Sequence, residues 1–144
     1  MSEGARSVVV HVDGGARGNP GPAAVAAVAT SPDGASLAED SAYIGETTNN
    51  VAEYKAVLLA LDLSSRIGAR EVEVVNDSEL VARQIGGEYR VKQPHLKPLH
   101  AEVMEALRGF DRWSVRTVRR EHNERADELV NETLDDTLRR RRSA

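Results

Sequence analysis

The sequence predicts an α/β fold, a mixed five-stranded sheet (three antiparallel strands, then two parallel ones) flanked by helices in the order β-β-β-α-β-α-α-β-α. Three observations carry that prediction. Strand-like segments open the chain three times in succession before any helical period appears. Two valine-rich strands, one before and one after the first long helix, each run into an aspartate. The helix between them suits a crossover joining parallel neighbours. At 144 residues the chain fits one domain, residues 1–144, with a core from about 7 to 138, a loose N-terminus and an arginine-rich C-terminal tail.

The first strand is Val8-Val9-Val10-His11-Val12-Asp13-Gly14-Gly15. Val8, Val10 and Val12 share one face; Val9, His11 and Asp13 share the other. So valine-rich a run reads as a central strand buried on both faces, delivering Asp13 to its end before a sharp glycine turn. Residues 16–22 follow as a loop, since Gly18, Pro20, Gly21 and Pro22 suit neither ladder nor helix. Ala23–Thr30 is a second strand, Ser31–Gly34 a turn and Leu37–Glu46 a third strand.

The period then changes. Ala52, Val57, Leu58 and Leu61 recur at helical spacing across Asn50–Ile67, with Gly68 as the stop. Glu71–Asp77 is a fourth strand, and Ser78–Ile85 a short helix ended by Gly86-Gly87. Glu88–Lys97 is irregular and carries Arg90, Lys92 and Lys97. Pro98 opens a helix whose face is Leu99, Val103, Met104, Leu107 and Phe110. Trp113–Arg119 alternates as an edge strand. Asn123 caps a last helix with the stripe Ala126, Leu129, Val130, Leu134 and Leu138. Arg139–Arg142 reads as a frayed, solvated helix end.

Composition narrows the function. There is no cysteine, which excludes disulfides, zinc–thiolate sites and thiol nucleophiles. No apolar run has the length of a membrane span and no signal peptide opens the chain, so a cytoplasmic protein is expected. The net charge of −4 argues against bulk electrostatic grip on nucleic acid, yet suits a site that gathers carboxylates around metal.

Four acids fit such a site. Asp13 and Asp77 end strands predicted to be parallel neighbours. Glu53 falls in the first turn of the long helix, and Asp127 in the first turn or so of the last. Like charges about 5 Å apart repel by roughly 3 kcal/mol at an effective dielectric near 20. Divalent cations with oxygen ligands offset that repulsion. Singly, each acid also has an ordinary role: Glu53 at a helix start, Asp77 as a cap, Asp127 as a surface charge beside Arg125.

Four strings hold these acids: Val12-Asp13-Gly14-Gly15-Ala16-Arg17-Gly18-Asn19-Pro20-Gly21-Pro22, Thr47-Thr48-Asn49-Asn50-Val51-Ala52-Glu53, Val75-Asn76-Asp77-Ser78-Glu79-Leu80-Val81, and His122-Asn123-Glu124-Arg125-Ala126-Asp127-Glu128-Leu129. In that order the chain resembles ribonuclease H of type 1, in a short form lacking the basic protrusion, from Val8 to about Leu134. The resemblance implies the ribonuclease H-like fold and an endonuclease that hydrolyses the RNA strand of an RNA–DNA hybrid, leaving 5′-phosphate and 3′-hydroxyl ends. It implies that Asp13, Glu53, Asp77 and Asp127 hold two Mg²⁺ ions, with Mn²⁺ as a substitute, and that Asp13 bridges them. Such a pair activates water and stabilises the departing oxygen.

The resemblance also assigns substrate contacts to Gly14, Gly15, Asn19, Thr48, Asn49 and Asn50, with the 2′-hydroxyl marking RNA. Turn chemistry at Asn19 and helix capping at Asn49 and Asn50 are the alternatives. His122, close in sequence to Asp127, is a candidate proton carrier or else a surface histidine. The chain departs from the family's pattern in three places. Arg120–Asn123 is compact where many members carry a longer histidine-bearing loop. Glu79 stands where many carry glutamine. Glu88–Lys97 is short, so hybrid binding is expected to be weaker and salt-sensitive. A monomer suits one compact domain. The competing readings are a non-catalytic nucleic-acid-binding module, which would tend to lose an acid, and another nuclease of the same fold, which would lack these strings together.

Overall fold

The computed structural model describes residues 6–143; of the loose start expected for Met1–Arg6, all but Arg6 lies outside the described residues. The elements are β1 (Ser7–Ala16), β2 (Gly21–Thr30), β3 (Ser36–Thr47), α1 (Asn49–Arg66), β4 (Glu71–Asn76), α2 (Glu79–Ile85), α3 (Lys97–Leu107), β5 (Arg112–Thr117) and α4 (Glu124–Ser143). Short 3₁₀ turns at Pro94–Leu96 and Arg120–His122 precede α3 and α4. The sheet order is β3-β2-β1-β4-β5. β1, β2 and β3 pair antiparallel; β4 joins β1 and β5 joins β4 in parallel, the mixed sheet that the sequence predicts.

The two sides of the sheet differ. Val8, Val10 and Val12 enter the main core with Tyr54, Leu61, Val74, Ile85, Leu96 and Leu107. Burying each of these valines and leucines contributes roughly 1.5–3 kcal/mol. The opposite face carries a small cluster of Ala24, Ala26, Val130 and Leu134 beneath α4. The expectation that β1 is buried on both faces therefore holds on one. Val9 and His11 are only half-buried, because α4 lies over β2 more than over β1.

Four other expectations change. β1 does not end at Asp13; pairing with β2 carries it to Ala16, with Asp13 opposite Ala26 and Gly14 opposite Val25. α3 ends at Leu107, and Phe110 lies beyond it with its amide on the Leu107 carbonyl (3.1 Å). β5 stops at Thr117, after which the Val118 amide bonds to the Asn76 carbonyl (2.8 Å). The arginine run does not fray. α4 stays helical through it, and Arg141 lies over the ring of Tyr43 at 4.8 Å. Among the described residues no helix is long and apolar enough to cross a membrane.

Candidate active site

The register of the two parallel strands builds the site. Val10 pairs with Val74 and His11 with Val75; the same offset aligns Asp13 with Asp77. β4 stops at Asn76 while β1 continues to Ala16. Beyond Asn76 the sheet is notched, and both aspartates stand at the notch. Ser78 turns the chain there and caps α2, its hydroxyl accepting from the Val81 amide (3.3 Å).

Glu53 arrives from the other face. It lies just past the first turn of α1, one residue further into the helix than expected, because Thr48 is the cap and accepts from the Val51 amide (3.3 Å). The Gly14 amide donates to Glu53 Oε1 at 2.8 Å. That approach requires glycine: a Cβ on Gly14 would stand 2.2 Å from the Ala52 carbonyl oxygen. Asp127 stands in the first turn of α4. Asn123 fixes this start differently from the cap expected of it. Its carbonyl accepts from the Asp127 amide (3.1 Å), while its side-chain Nδ2 donates to the Val12 carbonyl (2.8 Å).

Asp13, Glu53 and Asp77 each place a carboxylate oxygen within 4.8 Å of the others. Burial pushes Asp13 up to about 7, reinforced by the charges of Asp77 and Asp127 and by a hydrogen bond with Asp127; Arg120 opposes the shift. Burial pushes Glu53 up to about 8, reinforced by Asp13 and opposed by the Gly14 amide. Arg120 Nε lies 3.8 Å from Asp77 Oδ2, too far for a hydrogen bond. Asp77 Oδ2 is thus buried without a hydrogen-bond partner, on a side chain only 8% exposed, with the Arg120 charge as its nearest compensation. A buried carboxylate oxygen left unpaired is costly. The donor set is all oxygen and strongly anionic, so the cluster fits a hard divalent cation.

The cluster opens into a cavity of about 450 Å³ lined by Asp13, Gly14, Gly15, Asn49, Asn50, Glu53, Asp77 and Asp127. Eight of the predicted residues thus meet there. Thr48 caps α1 instead, and Asn19 accepts from the Asn49 amide through Oδ1 (3.0 Å), while Asn49 Oδ1 accepts from the Ala16 amide (2.9 Å). These bonds tie the β1–β2 turn to the start of α1. His122 is exposed and lines a different cavity, with His11, Val28 and Arg125.

Arg17, Ser78, Arg120 and Asn131 also line the acidic cavity. Asn131 had a signal in the sequence: it follows Asp127 by one helical turn and shares its face. It receives Arg17 Nη2 on Oδ1 at 3.3 Å. Arg120 had none, since its approach depends on where the loop after β5 falls.

A model of a family described as "Reverse transcriptase-like" matches residues 11–133. Ribonuclease HI of Halobacterium salinarum is 46% identical over 90% of this chain. The N-terminal RNase H domain of Rv2228c from Mycobacterium tuberculosis has a TM-score of 0.90 at 40% identity, the match covering 94% of this chain and 98% of that one. The chain belongs to the ribonuclease H type 1 family. A further member, LC11-RNase H1 solved in complex with an RNA/DNA hybrid, matches with a TM-score of 0.87 at 47% identity, over 91% of this chain and 99% of that one. The chain spans 65% of the Halobacterium relative and 35% of the whole bifunctional protein Rv2228c. Ribonuclease H membership implies a divalent metal, and the acidic triad of Asp13, Glu53 and Asp77 fits one.

Proposed function

We propose that this chain is a metal-dependent endonuclease that hydrolyses the RNA strand of RNA–DNA hybrids, leaving 5′-phosphate and 3′-hydroxyl ends. One observation carries the reading: carboxylate oxygens of Asp13, Glu53 and Asp77, brought from both faces of the sheet, lie within 4.8 Å of one another. The hybrid bound to LC11-RNase H1 supports the choice of substrate.

Asp13, Glu53, Asp77 and Asp127 would hold two Mg²⁺ ions, with Mn²⁺ as a substitute. Bound there, the ions supply water activation and charge stabilisation for the departing oxygen. The chain contributes the rest. The Gly14 amide holds Glu53 by one oxygen and leaves the other free. Asn123 secures the Val12 carbonyl next to Asp13 and the Asp127 amide, fixing those two acids relative to each other. Asn49 and Asn50, at the cavity wall, face the nucleotides beside the cut, and Asn19 and Thr48 hold the turn and helix start that present them. Gly14 and Gly15 line the cavity against which the RNA backbone would lie, and the bare Gly14 backbone lets α1 bring Glu53 up to it. His122 is left outside the reacting set because it lines the neighbouring cavity. We read residues 1–144 as one ribonuclease H domain, acting as a cytoplasmic monomer; every acid of the site comes from a single chain.

The test is cleavage of end-labelled RNA–DNA hybrid with Mg²⁺, Mn²⁺ or chelator, beside duplex DNA and duplex RNA. Metal-dependent internal cuts confined to the hybrid's RNA are expected. A folded protein that cuts nothing with either metal overturns the reading.

A further inference from the structure

We propose that the last turn of α4, Arg139–Arg142, is a second phosphate-contact surface that holds hybrid backbone beyond the acidic cavity. The inference rests on the hybrid reading above. α4 segregates its charge along its length: Glu124, Asp127, Glu128, Glu132, Asp135 and Asp136 precede four consecutive arginines. Much of the acidic part is matched internally. Arg125 reaches Glu128 and Glu132 (3.1 and 3.6 Å), Arg17 reaches Asp135 (2.8 Å) and Arg139 reaches Asp136 (3.4 Å). Arg140 and Arg142 are exposed.

The fold fixes where this turn stands. Arg141 stacks on Tyr43, which pairs with Ala24 in β2, which pairs with Gly15 in β1. Two strand spacings place Tyr43 about 10 Å from Gly15, and Gly15 lines the acidic cavity. α4 runs from Asp127 past Val130, Asn131 and Leu134, which also line that cavity, and rises about 21 Å before Arg141. One strand of a duplex carries a phosphate about every 3.4 Å of axis. A duplex lying along this wall therefore brings a phosphate to the arginines about six nucleotides from the cut. The helix dipole favours cations at this end, and planar guanidinium groups suit phosphate oxygens. The partner chemistry is a polyphosphate backbone, read by charge and not by base.

The test uses Arg140→Gln/Arg142→Gln, which leaves the Arg139–Asp136 pair and the Arg141–Tyr43 stack in place. Cleavage is measured against salt on two hybrids, one extending about four base pairs either side of the cut and one about twelve. The short hybrid should be cut alike by variant and parent. On the long hybrid KM should rise about 3- to 10-fold with kcat unchanged, and the dependence of log KM on log salt should flatten by about 1 to 2, near 0.9 per lost phosphate contact. Arg140→Lys/Arg142→Lys should restore most of the slope. Equal KM and equal salt slope on the long hybrid would overturn the proposal and return this turn to a solvated helix end. If the parent cuts no hybrid, the hybrid reading itself has failed. Anisotropy binding of the same long hybrid in chelator then decides separately: a flatter salt slope for the variant supports the surface, and identical curves overturn it.

Discussion

Along β1, Val8, Val10 and Val12 enter a core that includes Leu61, Ile85 and Leu107, while on the other face Val9 is half-buried, His11 and Asp13 lie by the start of α4, and the apolar packing is a small cluster of alanines, Val130 and Leu134. The first face is apolar, branched and closed. The second is thin and leads to a wall of carboxylates whose mutual repulsion the apolar core must hold against. One face supplies the stability that the other consumes. The active cleft forms where they meet, because Glu53 comes from the helix over the first face and Asp127 from the helix over the second.

The largest effect that tests this contrast is chemical. Asp13→Asn should lower hybrid cleavage by about 10³-fold or more while the fold survives, read by single-turnover kinetics beside circular dichroism. Retention of the parental rate would remove Asp13 from the centre of the site.

Next come paired truncations. Leu61→Ala should lose about 3 kcal/mol in urea unfolding with little change in metal dependence. Leu134→Ala should lose less, about 2 kcal/mol, yet should reduce activity more, because it loosens the helix that carries Asp127. Equal effects on both readouts would dissolve the distinction between the faces.

The pH dependence of the metal-free protein tests the same point. Asp13 and Glu53 are raised to about 7 and about 8, so the folded chain holds their protons more tightly than the unfolded chain. Their stabilising contribution is full below about pH 4 and is lost as pH rises through 7 and 8. In chelator, the melting temperature should fall from pH 6 to pH 9. The fall should shrink in Asp13→Asn, and in the parent when divalent cation is added. A melting temperature that rises over that range would contradict it.

The smallest effects concern the rim. Arg17→Ala breaks exposed contacts to Asp135 and Asn131 and should change stability by less than about 1 kcal/mol, with a several-fold rise in KM. His122→Ala should leave both the rate and the pH–rate profile unchanged. A lost limb in that profile would return His122 to the reaction.

Much of this was legible in the chain itself. Alternation in β1, the helical period of α1 and the aspartates closing two valine runs sufficed for the mixed sheet with β1 and β4 as parallel neighbours and for bringing Asp13, Glu53 and Asp77 together. These features are local, and local periodicity reports them. What escaped depends on partners distant in sequence. β1 runs beyond Asp13 because β2 continues to pair with it. Asn123 turns its side chain away from its helix because the Val12 carbonyl lies within reach. Tyr54 donates to Gln84 Oε1 at 2.6 Å within the core, a tie between α1 and α2 that no spacing announces. The arginine run looked solvent-frayed because a helix end carries no sign of the ring, Tyr43, that lies beneath it.

The Gly14–Glu53 bond has a consequence for ion selectivity. The amide takes up one of the two lone pairs on Glu53 Oε1, so a two-oxygen grip on one ion would compete with that hydrogen bond, while coordination through Oε2 alone would not. A large cation that expands its shell to seven or eight oxygens relies on such grips, whereas a small octahedral ion takes one oxygen per ligand and keeps its waters. A single amide hydrogen would therefore favour a small octahedral ion over calcium in this cleft, without touching either.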